Sequence, residues 1–171
     1  MFVAVPKRIS PLDVKVKLKV PSYKHLRIVK EDEKHYFAKI FSSKTITNVP
    51  KFLDENLAKL LGWFVSEGNI SKEGITICNQ NKGYQSEIKQ IINEYVPRDR
   101  ITVTKNKVIF YSTPFVKFLE EIFEMPLGKK KSHDIKFPSI ISKADLKTIT
   151  AFLQAAYKGD GSISKTKIEY G

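Results

Sequence analysis

Two segments of the chain combine the apolar spacing of a helix with an acidic residue and a glycine at the end. Residues 60–68 read LLGWFVSEG, and residues 152–161 read FLQAAYKGDG. In both copies, small residues lie one, five and nine positions before the acid. Steps of four residues stay on one face of a helix, so each segment is predicted to form a helix with one narrow, nearly bare face. The small residues are Ala58, Gly62 and Ser66 in the first copy and Ala151, Ala155 and Gly159 in the second.

Two bare helix faces predict a close helix pair. Small-residue faces let helix backbones approach each other closely, and parallel pairing would bring Glu67 and Asp160 side by side at one end. Adjacent carboxylates repel each other unless a proton or a cation lies between them. Hard divalent cations prefer oxygen ligands, so the pattern predicts a site for Mg²⁺ or Mn²⁺ between these two acids.

The remaining pattern alternates strands and helices. Residues 1–50 are expected to form an irregular, partly extended lead-in, with period-two alternation over residues 14–20 that is typical of a half-exposed strand. The first acidic segment is predicted to be a helix that Asp54 caps and Gly68 ends. The elements predicted after it are strands at 69–71 and 75–80, a helix at 84–95, strands at 100–104 and 108–111, a helix at 115–123, a helix at 143–158, and one strand with part of another at 162–170.

The two acidic segments resemble the motif of the LAGLIDADG, or dodecapeptide, homing endonucleases. Both copies carry the apolar helix and the same ending of acid, glycine, polar residue and isoleucine. Internal repetition of this kind strengthens a motif that would be moderate on its own. The resemblance implies an α/β (α+β) fold, in which a half-unit of helix, two strands, helix, two strands and helix carries a saddle-shaped antiparallel sheet.

The resemblance also divides the chain into three parts. Residues 1–50 look like the segment that joins a splicing domain to the endonuclease in inteins, and residues 51–142 correspond to the first half-unit with a basic linker. Residues 143–171 correspond to the start of a second half-unit, which is expected to be incomplete because few residues follow Gly161. An incomplete half leaves apolar surface exposed, so a homodimer or a domain-swapped dimer is a further expectation.

Family membership would assign chemistry to particular residues. Glu67 and Asp160 would be the catalytic metal ligands. A lysine of the basic run at 128–138 would approach the active site, and Lys136 is the first choice, with Lys131 second. The alternative for this run is a solvated basic loop, and His133 within it is interpreted as a surface residue rather than a general base.

Strand alternation predicts which side chains contact DNA. If Ile75, Ile77, Ile101 and Val103 face the helices, the residues between them line the opposite face. Polar side chains on a sheet can read bases in the major groove, and lysines at hairpin tips can hold phosphates. The predicted DNA-binding residues are Lys72, Thr76, Gln80, Lys82, Arg98, Arg100, Thr102, Thr104, Lys105, Lys107 and Lys131.

Composition indicates the kind of binding partner and the cellular compartment. Thirty Lys and Arg residues against 18 Asp and Glu give a formal net charge of +12 and a sequence pI near 9.6, which suits a polyanionic partner. One cysteine, Cys78, excludes an internal disulfide and a cysteine-based zinc site. No apolar run approaches the roughly 20 residues of a membrane span, so a cytoplasmic, intracellular protein without membrane contact is expected.

The sequence is compatible with three functions. The first is site-specific, metal-dependent double-strand cleavage of a long double-stranded DNA target. The second is a nucleic-acid-binding module that does not cleave, as in maturases or regulators. The third is an inert remnant of a mobile element.

Overall fold

A computed structural model describes residues 15–128, 137–163 and 168–170, and from residue 160 onward it describes the backbone only. Within these residues the chain forms four α-helices and nine β-strands, which confirms the mixed α and β class. In chain order they are β1 (Leu26–Glu31), β2 (His35–Ile40), β3 (Thr47–Pro50), α1 (Glu55–Glu67), β4 (Gly68–Ile70), β5 (Gly74–Cys78), α2 (Lys82–Ile92), β6 (Ile101–Val103), β7 (Lys107–Tyr111), α3 (Thr113–Phe123), α4 (Leu146–Asp160), β8 (Gly161–Ile163) and β9 (Ile168–Tyr170).

The strands form three antiparallel sheets. The first has the order β1-β2-β3, the second β4-β5-β7-β6, and the third is the hairpin of β8 and β9. In the chain order, the strands of the four-stranded sheet lie between α1 and α4, the helices of the two acidic segments. The sheet consists of the hairpins β4-β5 and β6-β7, which are joined by pairing between β5 and β7. Period-two patterning predicted four strands in this region but not their order, because pairing between distant strands is not a local property.

Helix α1 is defined by local signals at both ends. The Asp54 carboxylate accepts a hydrogen bond from the Leu57 amide at 2.8 Å, which satisfies one of the open N–H groups of the first turn. At the other end, a side chain on Gly68 would approach the Phe64 carbonyl oxygen to 2.6 Å. Glycine therefore lets the chain pass directly from helix α1 into strand β4.

The core is apolar and aromatic, and it joins α1, α2 and α3 to both larger sheets. Among its largest fully buried side chains are Trp63, Phe64, Phe110, Phe115 and Phe118. Three of these rings pack in sequence, since Phe115 lies against both Phe110 and Phe118. This core fixes the helices on one face of the four-stranded sheet and leaves its other face available.

The region before α1 is more regular than the irregular, partly extended lead-in that the sequence predicted. Residues 26–50 form a three-stranded sheet, whereas residues 15–20 contribute a single isolated bridge between Lys17 and Phe52 where a strand was predicted over 14–20. Ala38 and Val49 of this sheet are fully buried in the common core, and Thr47 shares a 2.6 Å hydroxyl hydrogen bond with Ser112 at the start of α3. The sheet was missed because its strands do not alternate cleanly between polar and apolar residues.

The structural similarity between the two acidic segments continues past the end of each helix. Strand β8 begins directly after α4, as β4 begins directly after α1. Gly68 pairs with Ile77 in the first hairpin and Gly161 pairs with Tyr170 in the second, with the same separation along the chain. The region from 162 to 170 therefore forms a two-stranded hairpin, where one strand and part of another were predicted.

Some predicted boundaries and burials differ from the structure. Helix α4 begins at Leu146 rather than at residue 143, because residues 141–143 form a separate 3₁₀ turn. Tyr157 of this helix, although aromatic, is half exposed. No helix in the described part of the chain has the length and apolar character needed to cross a membrane.

Candidate metal and nucleic-acid site

Helices α1 and α4 pack against each other in parallel through their small residues. A methyl group on Gly62 would overlap the Phe152 carbonyl oxygen and would lie 2.9 Å from the Ala155 side chain. One turn further on, a methyl group on Gly159 would overlap the Ser66 hydroxyl and lie 2.6 Å from its Cβ. The backbones can therefore be this close only because these positions lack side chains. Ala58 and Ala151, at the start of the same stripes, are also buried.

This packing brings the acidic ends of the two helices together. Glu67 is the last residue of α1 and is half-buried, and Asp160 is the last residue of α4. A methyl group on Gly159 would lie 3.3 Å from Cγ of Glu67, so the Glu67 side chain runs beside the backbone that leads into Asp160. The side chain of Asp160 lies outside the described atoms.

The end of the helix pair has the chemistry of a cation site. Both helices present their C-terminal ends here, and the helix dipoles make that end electronegative. Glu67 and Asp160 add carboxylate oxygens, which hard cations prefer. No group of three or more His, Cys, Asp or Glu side chains suited to a metal occurs among the described residues. Mg²⁺ is compatible with such a sparse set, because it usually keeps several waters and takes one or two carboxylates plus substrate phosphate.

The opposite end of the helix pair serves a structural purpose. Asp54 caps α1. Asp145 caps α4, accepting hydrogen bonds from the backbone amide of Thr148 at 2.9 Å and from its hydroxyl at 3.0 Å. The amide hydrogen bond holds the pKa of the Asp145 carboxyl below its ordinary value. These two acids are accounted for by helix capping.

The outward face of the four-stranded sheet is polar at its centre and ends. Register places Asn69, Thr76, Ile109 and Thr102 in one row across all four strands, on the face opposite the buried isoleucines. A second row contains Cys78 and Lys107, with Thr104 beside them through its amide bond to the Lys107 carbonyl at 2.9 Å. We call these two rows the polar face. Thr76, Thr102 and Thr104 lie there, as alternation predicted.

Other predicted contact residues lie around this face. Lys72 is exposed in the turn between β4 and β5, Gln80 is exposed just after β5, and Lys105 is at the tip of the hairpin of β6 and β7. Lys107 was predicted at that tip but is the first residue of β7, within the polar face. Arg98 is exposed in a 3₁₀ turn that precedes β6.

Two of the predicted DNA-binding cations also form hydrogen bonds within the protein. Arg100 lies in the 3₁₀ turn rather than in strand β6, and its guanidinium donates to the Thr45 hydroxyl at 2.7 Å. The Lys82 ammonium donates to the Gln85 side chain at 2.9 Å and to the Lys105 carbonyl at 3.2 Å. Both side chains are exposed, so their contact with DNA stays a prediction.

The hairpin of β6 and β7 is held firmly against α2. Gln85 is buried, and its amide nitrogen donates to the Asn79 carbonyl at 2.6 Å and to the Thr104 carbonyl at 3.2 Å. The Asn79 amide in turn donates to the Asn106 carbonyl at 2.9 Å. These bonds fix the Lys107 end of the polar face in position.

Three residues of the outward face were not predicted. Asn69 and Ile109 complete its central row, and Tyr111 is 47% exposed at its end. Ile109 is half-buried and apolar at the centre of a polar row, where it could contact a thymine methyl. Continuing the alternation of β7 outward from Val108 and Phe110 would have found Ile109 and Tyr111. Val103 was predicted to face the helices and does so by register, but it is 40% exposed because β6 is an edge strand.

The basic run after α3 is anchored near the acidic helix ends. The Gly128 amide donates to the Ile70 carbonyl at 2.7 Å, and the Asn69 side chain donates to the Gly128 carbonyl at 2.8 Å. These contacts lie two to three residues beyond Glu67 in strand β4. On the far side of the run, the Phe137 ring packs edge-on against Phe152 of α4. Lys131, His133 and Lys136 lie outside the described residues.

The chain is similar to parts of two longer proteins. One is a subunit of the A-type ATP synthase of Pyrococcus abyssi, which is 24% identical over 124 residues, an alignment that covers 71% of this chain and 12% of that protein. The other is the replication factor C small subunit of Methanocaldococcus jannaschii, which is 27% identical over 121 residues, covering 67% of this chain and 6% of that protein. The chain therefore spans about an eighth or less of the length of these relatives. No protein-family model matches it.

Proposed function

We propose that this chain is part of a site-specific DNA endonuclease of the LAGLIDADG type, which makes metal-dependent double-strand cuts in a long target. The observation that carries the proposal is the parallel, in-register packing of α1 and α4. It brings two acid-ended helices together so closely that Gly62 and Gly159 admit no methyl group. Close packing of this kind is stronger support than the acids alone, because it accounts for the small residues as well.

The outward face of the sheet supports a duplex as the partner. Its rows combine amide, hydroxyl and cationic groups, which can hydrogen-bond base edges in the major groove. The surrounding lysines, including Lys72 and Lys105, can neutralise backbone phosphates and position the duplex. The net charge of +12 favours a polyanion over a neutral or acidic ligand.

The comparisons support the proposal that this chain comes from a mobile genetic element of the intein type. The two relatives are named as subunits of unrelated complexes, an ATP synthase and a replication factor. Each alignment covers only a small fraction of the relative. A segment shared in this way is typical of an element inserted into unrelated host proteins. The intein-like setting of the enzyme rests on this point and on the resemblance of the acidic motifs.

Each residue has a distinct task in the proposed mechanism. Glu67 and Asp160 would hold a divalent cation at the converging helix ends, where both helix dipoles favour positive charge. Mg²⁺ bound there would supply charge for the phosphate and lower the pKa of an attacking water. The polar face would orient the duplex over this end, and a lysine of the basic run, Lys136 or Lys131, would stabilise charge on the phosphate.

The experiment is a cleavage assay on a plasmid library of mixed sequence, with Mg²⁺ or Mn²⁺. The wild-type chain is compared with Glu67→Gln, which keeps the size of the side chain and removes its charge, and with Glu55→Gln at the opposite end of the same helix. Glu67→Gln is expected to lower cleavage at least about 100-fold, which corresponds to a loss of about 2.7 kcal/mol in transition-state stabilisation. Glu55→Gln should cleave like the wild type.

Three outcomes would redirect the proposal. Equal cleavage by both variants would remove Glu67 from the mechanism. Duplex binding without any cleavage would favour the non-cleaving module. No preference for DNA at moderate salt would favour the inert remnant, because phosphate contacts weaken steeply as salt rises.

A further inference from the structure

The three-stranded sheet of β1, β2 and β3 carries a concentrated basic face. Arg27 lies directly opposite Lys39 in the register of β1 and β2, and Lys30 lies opposite Phe37. Residues opposite each other in an antiparallel pair share a face, and so do residues two apart in one strand. Lys39 and Phe37 are two apart, so all four side chains lie on one side of the sheet. We call them the basic face of β1 and β2.

A β-bulge creates this arrangement. The register of β1 shifts between Ile28 and Lys30, which leaves Val29 as the extra residue. Without that shift Lys30 would lie on the opposite side from Arg27, because residues three apart alternate faces in a regular strand. Bulges commonly re-aim side chains in this way. The Lys30 ammonium then lies 5.5 Å from the centre of the Phe37 ring, which supports it by a cation–π contact.

Two acidic residues of the same hairpin are engaged by other partners. Glu31 lies opposite Tyr36, on the other side of the sheet, and forms an ion pair with Lys51 at 2.7 Å. The Asp32 carboxylate is in the turn, where it accepts backbone hydrogen bonds from Lys34 at 2.8 Å and His35 at 2.6 Å. No ion pair joins Arg27, Lys30 or Lys39 to an acidic side chain of the described residues. Three cations therefore share one surface, and none of them forms an ion pair with an acidic side chain in the described part of the chain.

The basic face is connected to the end of the four-stranded sheet. The loop after β2 lines a pocket together with Arg100 and Tyr111, which lie at the end of the four-stranded sheet beyond the polar face. Hydroxyl groups dominate the rest of the lining, and Arg100 is bonded to Thr45 of this loop at 2.7 Å. The pair of Arg27 and Lys39 is the part of the basic face nearest to this loop.

We propose that the basic face of β1 and β2 is a second contact surface for the phosphate backbone of duplex DNA, extending the footprint of the polar face. The inference rests on the proposed function, because it takes the same duplex as the partner. A duplex carries about one negative charge per 1.7 Å of its axis, so three cations within two strand rows meet several phosphates. Such contacts position the duplex and carry no sequence information.

The test measures how the affinity for duplex DNA depends on salt. The affinity of the triple variant Arg27→Gln, Lys30→Gln, Lys39→Gln is measured on a duplex of mixed sequence at several salt concentrations. Each lost phosphate contact lowers the slope of log affinity against log salt by about 0.9, so the triple variant is expected to lose about 2 to 3 from the slope. Circular dichroism verifies that the three substitutions leave the fold intact.

The matched control removes the same charge elsewhere. Three exposed lysines on α2 and around the start of α4 are changed to glutamine, namely Lys89, Lys143 and Lys147. This control should keep the wild-type slope, since its residues lie away from both sheet surfaces. If the control and the triple variant weaken binding equally, the effect is one of net charge and the inference is wrong.

A second variant tests the face rather than the charge. The double variant Lys30→Glu, Glu31→Lys exchanges the two side chains. It keeps the composition and the net charge constant but moves the cation to the other side of the sheet. The slope is expected to fall by about 1. An unchanged slope overturns the inference. Wild-type protein that does not bind duplex DNA at all contradicts the proposed function instead. If loss of the three cations abolishes binding to anionic lipid vesicles but not to DNA, the partner is a membrane surface and the inference is also overturned.

Discussion

Replacing Gly159 by alanine tests the closest contact between α1 and α4. In the wild type, the new methyl group would overlap the Ser66 hydroxyl and would lie 2.6 Å from its Cβ. If Ser66 is first changed to glycine, the nearest remaining neighbour is Cγ of Glu67 at 3.3 Å, which needs to give way by only a few tenths of an ångström. The same substitution should therefore have opposite effects in the two backgrounds.

The expected magnitudes follow from the two competing terms. Inserting a methyl group into a packed interface costs about 1 to 3 kcal/mol, and alanine in place of glycine in a helix returns at most about 1 kcal/mol. Gly159→Ala alone should thus lower the free energy of unfolding by about 1 to 2 kcal/mol. With Ser66→Gly it should be neutral or stabilising by up to about 1 kcal/mol, which corresponds to a coupling free energy of about 1 to 3 kcal/mol.

The four proteins of this cycle are compared by urea and thermal unfolding monitored by circular dichroism. For a domain of this size, 1 kcal/mol corresponds to a shift in Tm of about 2 to 4 °C. The slope of unfolding free energy against urea should be the same in all four, so that the difference reports stability alone. If Gly159→Ala has the same effect with and without Ser66, the two positions do not touch, and the convergence of Glu67 and Asp160 loses its support.

Four further substitutions test other contacts. Gly62→Ala should lower the free energy of unfolding by about 1 to 2 kcal/mol, because the methyl group meets the backbone of α4. Gly83→Ala, whose methyl group would lie 3.2 Å from Oδ1 of Asn81, should change it by less than about 1 kcal/mol, because the helix propensity of alanine offsets the small displacement of that capping side chain; equal effects of the two glycine substitutions would contradict the packing. Tyr95→Phe should be neutral or stabilising in chemical unfolding, since the buried Tyr95 hydroxyl has no hydrogen-bond partner among the described residues, and a clear loss of stability would reveal an unrecognised partner. Asp145→Ala should cost about 1 kcal/mol near neutral pH through loss of the helix cap. The pKa of this carboxyl is lowered, so its contribution is complete above the ordinary pKa and disappears as the pH falls below about 4; a difference between wild type and variant that persists in acid would refute the linkage.

Buried Tyr95 also bears on the pH range of the measurements. Burial, followed by the charges of Asp54 and Glu94, raises the pKa of the Tyr95 hydroxyl well above its ordinary value. The phenol therefore stays neutral in the folded protein over the whole working range. Its ionisation in the unfolded chain should destabilise the fold only above about pH 10.

Several parts of the fold could be predicted because their causes lie within a few residues. The cap by Asp54, the end of α1 at Gly68 and the amphipathic helices follow from local backbone and side-chain chemistry. Alternation in β5 and β6 likewise predicted that Thr76 and Thr102 lie on the face opposite the core. The four-residue spacing of small residues predicted which sides of α1 and α4 can come into contact, because that spacing fixes the shape of a helix surface without reference to its partner.

Other parts of the site could not be predicted because they depend on contacts between distant residues. Arg100 is defined by its bond to Thr45 and not by the strand that follows it. The basic face of β1 and β2 depends on a bulge at Val29, which shifts Lys30 to the side of Arg27.

The sequence by itself determined the helices, their caps, the repeated acidic motif and the alternation of the central strands. Only the tertiary structure decided the strand order β4-β5-β7-β6, the three-stranded sheet before α1, and the partners of the charged side chains. The physical reason is the range of the interactions. Backbone propensity and helix periodicity act over a few residues, whereas strand pairing and ion-pair choice are settled when the apolar core of Trp63, Phe110 and Phe115 brings distant segments together.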